Sequence, residues 1–357
     1  MITATKFSVH KTNKSRLAET NFDALEFGKT VSDHMLSADY RKGAWTTPQL
    51  IPYGPIVLSP TALSLHYGQT VFEGMKAFRT NDGSISIFRI EKHYQRLSKS
   101  LERMSMPALP FELFSEGLQQ LIHLDAAWVP KKEGHSLYLR PFVFASNEER
   151  FGVHESDDYR FLIITGPVGP YYSKTLKLKV EDHFIRAAHG GTGFAKCGGN
   201  YGGAFYPTKL ARQQGFDQVI WTDGTKDLNI EESGMMNILF VINNILVTPP
   251  LSDTILDGIT RDSYLTLAAD LGYKIEERKI GVKELTQAFE NKTIQEAFGS
   301  GTAAVAAPIG SISMMGKEYL LPPVPQNGFM IRAKHMLEAI RTGNAPDTHR
   351  WNTLIKI

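Results

Sequence analysis

The chain has 357 residues, of which 42% are hydrophobic and 21% charged, enough apolar material for a packed core and a length that fits two domains better than one. Its 39 basic and 37 acidic side chains leave a formal charge of +2, which removes the electrostatic case for a nucleic-acid or membrane-surface partner. A single cysteine, Cys197, excludes an intramolecular disulfide and fits a reducing compartment, and the lack of CxxC or HExxH spacing argues against a metal site.

In chain order, "MITATKFSVHKTNKSR" is basic without an acidic residue and reads as a polar tail ahead of "LEFGKTVSDHML". "SISIFRI" (84–90) is partly alternating and β-branched, a strand signal. "EKHYQRLSKSLERM" follows, with Tyr94, Leu97, Leu101 and Met104 near a 3.6-residue period, which predicts an amphipathic helix. In "HSLYLRPFVFAS" (135–146) alternation puts Tyr138 and Arg140 on one face of a strand and Leu137 and Leu139 on the other. "YRFLIIT" (159–165) reads as a buried strand. The two Gly-Pro dipeptides of "GPVGPYYS" (166–173) predict an extended, turning path. The domain boundary is placed there: a smaller N-terminal domain over 1–167, a linker over 168–177 and a C-terminal domain over 178–357.

Beyond it, "TLKLKVED" alternates as a strand and "FDQVIWTDG" is a strand ending in an Asp-Gly turn. "NILFVINNILVTPP" predicts a hairpin around Asn243-Asn244, and its asparagines and prolines exclude a membrane span. "GITRDSYLTLAADLG" has helix signals, with Thr260 as the expected cap and Gly272 as the stop. "GFMIRAKHMLEAIRTGNAP" is a terminal helix. Strands interspersed with helices predict an α+β fold in two domains.

The stretch "GGTGFAKCGGNYGG" (190–203) sets glycines around Lys196. A P-loop needs Gly before the lysine and Ser or Thr after it, but Ala195 and Cys197 stand there. A dinucleotide fingerprint built on Gly191 and Gly193 needs a glycine at the position Lys196 holds. Two readings stay open from these residues alone. One is a flexible loop with a solvated lysine. The other is a nucleophilic lysine that forms a Schiff base, with glycines letting a flat ring approach the backbone.

Further along stand "EESGMMN", a hairpin ending in "VTPP", "GITRD" and "FGSGTAA", and upstream "FGKTVSDHML", "LHYGQTVFEGMKAFR", "LYLRP" and "GPVGPYY". In these segments and their order the chain resembles the branched-chain-amino-acid aminotransferases of the class IV pyridoxal-phosphate family (fold type IV), over nearly its whole length. The resemblance implies a smaller N-terminal α/β domain, a larger C-terminal domain with a β-barrel-like core, and pyridoxal 5'-phosphate as cofactor. It implies that Lys196 bonds the cofactor and then moves the proton of the reaction. Glu232 faces the pyridine nitrogen, with its neighbour Glu231 expected to be dispensable, and Tyr201 faces the phenolic oxygen. The phosphate falls to the N–H groups of Ile259 and Thr260, the side chain of Thr302 and the guanidinium of Arg96. Asn237 supports the site, and Cys197 is a small buried filler.

For the substrate the resemblance implies aromatic walls from Phe27, Phe72, Tyr138 and Tyr171, with Tyr67 and Arg140 as polar members. The α-carboxylate meets the loop of Thr302 and Ala303. Phe151, Val153 and Tyr67 reach in from the other subunit of a homodimer. The implied reaction is a ping-pong transfer from leucine, isoleucine or valine to 2-oxoglutarate, giving glutamate. D-amino-acid aminotransferases and aminodeoxychorismate lyases share the lysine and glutamate motifs but look less like this chain in its N-terminal region. Mammalian members carry a CxxC pair where this chain has Ala304 and Ala307, so no thiol switch is expected there. The early start of the family pattern, near residue 27, implies a cytoplasmic protein without a cleaved leader.

Overall fold

The computed structural model describes residues 6–146, 150, 152–170 and 174–357. The chain divides into two compact units, Met1–Tyr171 with Ala195–Gly198 and Ala339–Ile357 in the first, and Tyr172–Phe194 with Gly199–Glu338 in the second. The second unit is therefore not a simple C-terminal half. The C-terminal strand Asn352–Ile355 pairs antiparallel with Ile85–Phe88, and residues 195–198 run beside Thr70–Phe72, so backbone hydrogen bonds bring both segments into the first unit.

The first unit is a largely antiparallel sheet. Its central order is Gln49–Pro52, His34–Arg41, Tyr159–Val168, Ser136–Ala145, Met75–Arg79, Ile85–Phe88 and Asn352–Ile355. The helices Ile90–Arg103 and Phe111–Leu124 contribute Leu97, Leu101, Phe114, Leu118 and Leu121 to the core that Leu36, Ala38, Val71, Met75, Leu137 and Leu139 supply from the strands. Gly117 lets the second helix come close, since a Cβ there would lie 2.7 Å from Leu36 Cδ1.

The strand at 159 does not end at the first Gly-Pro, as expected, but continues to Val168. Pro167 lies opposite Leu137, past the end of the pairing with His34–Arg41 at Met35 and Ile164, so its missing N–H breaks no bond on that side. Gly166 is required for another reason, because a Cβ would sit 2.2 Å from the Thr30 carbonyl oxygen.

In the second unit six strands close on themselves. Ile230–Ser233, Gln218–Thr222, Leu176–Val180, Val305–Met314, Ile294–Gly301 and Met236–Ile242 follow one another, and the pair Glu232–Asn237 joins last to first. Leu176, Leu178, Ile220, Ile238, Phe240, Ala307, Ile309 and Ile312 belong to its apolar core. The predicted hairpin forms between Met236–Ile242 and Ile245–Thr248, with Asn243 and Asn244 both at positive φ, as a two-residue primed turn requires. Among the described residues no helix is long and apolar enough to cross a membrane.

Candidate active site

Lys196 is not on a loose loop. Its carbonyl accepts the Phe72 N–H at 3.0 Å, Gly198 N–H donates to the Thr70 carbonyl at 3.1 Å, and Cys197 bridges Val71. The lysine is thus carried on a segment bridged to Thr70–Phe72. Its neighbours Ala195 and Cys197 are buried in the core, so the half-buried lysine is pinned on both sides. Its own N–H donates to Ser100 Oγ at 2.9 Å, and Nζ lies 4.7 Å from the centre of the Phe72 ring. A Cβ on Gly198 would reach within 2.8 Å of Thr70 Cγ2, which accounts for that glycine by close approach rather than by flexibility.

Next to Phe72 in the chain, Glu73 points to the helix Ile90–Arg103. Its fully buried carboxylate receives Arg96 Nε on Oε1 and Arg96 Nη2 on Oε2, both at 2.8 Å, and His93 Nδ1 at 2.7 Å. Burial pushes the Glu73 carboxyl up, but the Arg96 charge and the hydrogen bonds from Arg96 and His93 outweigh it and hold the group well below the usual range. Burial pushes His93 down to about 4 despite the carboxylate beside it, so the ring is neutral at pH 7 and donates through Nδ1–H. His93, Arg96 and Ser100 form a buried polar line on a helix that sequence alone shows as amphipathic.

The face of Ser136–Ala145 that carries Tyr138 and Arg140 opens on a cavity of about 230 Å³, also lined by Phe27, Ile164, Gly166 and Val168. The Phe27 and Tyr138 rings meet edge to face with centroids 4.9 Å apart. Arg140 Nη2 donates to Tyr138 Oη at 2.8 Å, and its guanidinium lies over the Phe72 ring at 4.7 Å. Arg140 Nε is buried with no hydrogen-bond acceptor among the described residues. Gly74 makes room for Tyr138, whose oxygen would otherwise be 2.2 Å from a Cβ.

In the second unit, Glu232 lies in the strand Ile230–Ser233 and is buried. Oε1 accepts the Leu256 N–H at 2.8 Å and Asn237 Nδ2 at 3.3 Å, and Oε2 lies 3.0 Å from Arg186 Nε, an ion-pair contact not aligned as a hydrogen bond. Asn237 also donates to the Leu256 carbonyl at 2.9 Å. A Cβ on Gly258 would lie 1.7 Å from Asn237 Oδ1, so only glycine fits at the entry to the next helix.

That helix runs Ile259–Asp270 with Gly258 as its cap, so Thr260 is not the cap, as expected, but sits inside the first turn. The first helical bond is Asp262 N–H to the Gly258 carbonyl, which leaves the N–H groups of Ile259 and Thr260 without acceptors inside the helix. Asn237 pairs with Ser300 across the barrel, two residues before Thr302. Thr302 and Ala303 occupy the turn that follows, and Val305 leaves it at φ 59°, a strained setting for a β-branched residue. Tyr201 lies on the short helix Gly199–Gly202.

Glu231, expected to be dispensable, is also buried and accepts a hydrogen bond from Thr254 Oγ1. Burial raises its pKa. Tyr67 and Val153 are exposed and do not line the cavity beside Arg140. Phe151 and Tyr171 lie outside the described residues. Sequence reasoning missed Glu73, His93, Ser100 and Arg186. The spacing of His93 and Ser100 with Arg96 along one helix face is the signal that could have found two of them.

The chain matches the family model described as amino-transferase class IV over residues 70–312. It is 42% identical over 341 residues to the probable branched-chain-amino-acid aminotransferase of Staphylococcus aureus strain N315, covering 94% of each chain. It is 44% identical over 303 residues to branched-chain-amino-acid transaminase 1 of Bacillus subtilis, covering 84% of this chain and 85% of that one. Among solved structures, the branched-chain aminotransferase of Thermoproteus uzoniensis with norvaline superposes with a TM-score of 0.74 at 25% identity, over 89% of this chain and 99% of its own. The Escherichia coli branched-chain amino acid aminotransferase gives 0.73 at 25%, over 91% and 99%.

Proposed function

The chain belongs to the class IV aminotransferases and is a pyridoxal-phosphate enzyme, and from that premise we propose that it moves the amino group of L-leucine, L-isoleucine or L-valine to 2-oxoglutarate in a reversible ping-pong reaction. The observation that carries this reading is the cavity beside Arg140. Its walls are aromatic and aliphatic, as a branched side chain requires, yet Arg140 brings a guanidinium to its lining, and the buried Nε of that group has no acceptor among the described residues. An apolar chain and the distal carboxylate of glutamate can use such a pocket in turn.

The residues present fit the cofactor. A lysine is fixed against an aromatic ring, a buried carboxylate is held by N–H donors from separate segments, and a helix begins on a glycine with its first N–H groups outside the helical ladder. When bound, pyridoxal phosphate supplies an electron sink for the pair left when the substrate's Cα proton departs. Lys196 Nζ would hold the cofactor, take that proton and return it. Glu232 would keep a proton at the pyridine nitrogen, and Tyr201 would donate to the phenolic oxygen. The N–H groups of Ile259 and Thr260, the Thr302 hydroxyl and Arg96 hold the phosphate, with Glu73 and His93 fixing Arg96. Thr302 and Ala303 orient the substrate carboxylate. Phe27, Phe72, Tyr138 and Tyr171 exclude water around the side chain.

Exposed Tyr67 and Val153, with Phe151, complete the site of a second copy in a homodimer. One buried cysteine fits a cytoplasmic setting.

The test is the visible spectrum of the purified protein. A cofactor band that bleaches with L-leucine and returns with 2-oxoglutarate supports both half-reactions. A band indifferent to L-leucine but responsive to D-alanine sinks the substrate assignment. Arg140→Met is expected to weaken the glutamate half-reaction by roughly 10- to 100-fold while sparing leucine, the cost of one charged hydrogen bond. Equal losses for both donors remove Arg140 from carboxylate recognition.

A further inference from the structure

We propose that Arg186 is the positioning residue for the Glu232 carboxylate and ties it to the segment that leads into Lys196. The inference rests on the reading that Glu232 faces the cofactor's pyridine nitrogen. Both side chains are almost fully buried, 9% and 4% exposed, so their pairing is shielded from water. Arg186 spreads its guanidinium over three segments. Nε lies 3.0 Å from Glu232 Oε2, while Nη2 donates to the Gly193 carbonyl at 2.9 Å and to the Thr254 carbonyl.

Gly193 stands three residues before Lys196 in the chain, and it is tightly seated. A Cβ there would lie 2.6 Å from Ala187 Cβ and 2.7 Å from Thr254 Cα, and the next residue, Phe194, donates its N–H to the Asp253 carbonyl at 3.0 Å. The Leu256 N–H and Asn237 hold the other oxygen of Glu232, so each carboxylate oxygen has a partner, two hydrogen bonds on one side and the Arg186 ion pair on the other.

These contacts come from two separate nitrogens of one planar fork, Nε and Nη2, and the single nitrogen of an ammonium group cannot stand at both. The charge matters as well. The adjacent carboxyl, Glu231, is bonded to Thr254 and feels Arg186, Asp223 and Asp253. Asp253 is itself bound by the Gly190 N–H and by His189. Arg186 is the cation placed among these acids, with its Nε against the Glu232 carboxylate.

The experiment is the dissociation constant of pyridoxal phosphate from the apoenzyme, measured by fluorescence quenching across a pH series, for the parent, R186K, R186Q and E232Q. R186K is expected to lose about 10-fold in affinity with the parent's pH profile, since it keeps the charge and loses the fork. R186Q is expected to lose about 100-fold, with the acid-side fall in affinity moved up by about one pH unit. Parental affinity and profile in both variants overturn the proposal. So do equal losses in both with no shift in profile, which a merely structural arginine would give. Should R186Q fail to fold, R186K decides, and unchanged affinity overturns the positioning role. E232Q separates the two readings: parental affinity there removes Glu232 itself, whereas weakened E232Q beside normal Arg186 variants removes Arg186 alone.

Discussion

Glu73 in the first unit and Glu231 in the second are both buried carboxyls, and they titrate in opposite directions. Burial raises the pKa of each. At Glu73 the two arms of Arg96 and the His93 ring reverse that push, whereas at Glu231 the main bond comes from the Thr254 hydroxyl and burial prevails. The difference teaches that a cation's geometry, not depth in the core, decides which way a buried acid's pKa moves.

The largest effect expected from this contrast is at Glu73. Glu73→Ala strands Arg96 and His93 in the core and should cost about 3–5 kcal/mol in denaturant unfolding. A loss below about 1 kcal/mol would show that the ion pair is weakly held and break the comparison.

Acid should expose the same cluster. His93 has its pKa lowered from 6.5 to about 4, so between those values the unfolded chain binds the extra proton and stability falls with pH. The total is about 3 kcal/mol by pH 4, and below the ordinary carboxylate range Glu73 adds to it because its own pKa is depressed. Urea unfolding of the parent and His93→Gln at pH 7 and pH 5 checks this. The variant should show the shallower loss, and parallel losses would remove His93 from the account.

The smallest effect belongs to Glu231. A carboxyl with a raised folded pKa contributes stability below its unfolded pKa and loses it as pH rises through the folded one. Glu231→Gln should therefore change stability at pH 7 by no more than about 1 kcal/mol while flattening that pH slope. A loss of about 3 kcal/mol would mean that Glu231 is as firmly paired as Glu73.

Much of the fold was legible where pattern and geometry share a period. The alternation at 136–145 placed Tyr138 and Arg140 together on the cavity face, and the Asn243-Asn244 turn and the helix at 259–270 followed from local chemistry. What periodicity cannot supply is the partner. Arg96 reads as a solvated helix charge until Glu73 arrives from another strand, and Arg186 has no local signature at all. The Gly-Pro at 166–167 reads as a turn because a proline's tolerance in a strand depends on where the neighbouring strand stops, which is a fact of topology. Motif order named the candidate site residues. It did not reveal the buried acids and cations packed beside them.

The segment that carries Lys196 is bridged to residues more than a hundred positions earlier in the chain. Such a contact closes a very long loop, and its entropic cost must be met before the amine is set in place. An unfolded or partly synthesised chain therefore offers only an ordinary solvated lysine. On the role proposed for Lys196, capture of the cofactor becomes a readout of that long-range closure, and bound cofactor stabilises it in return by mass action.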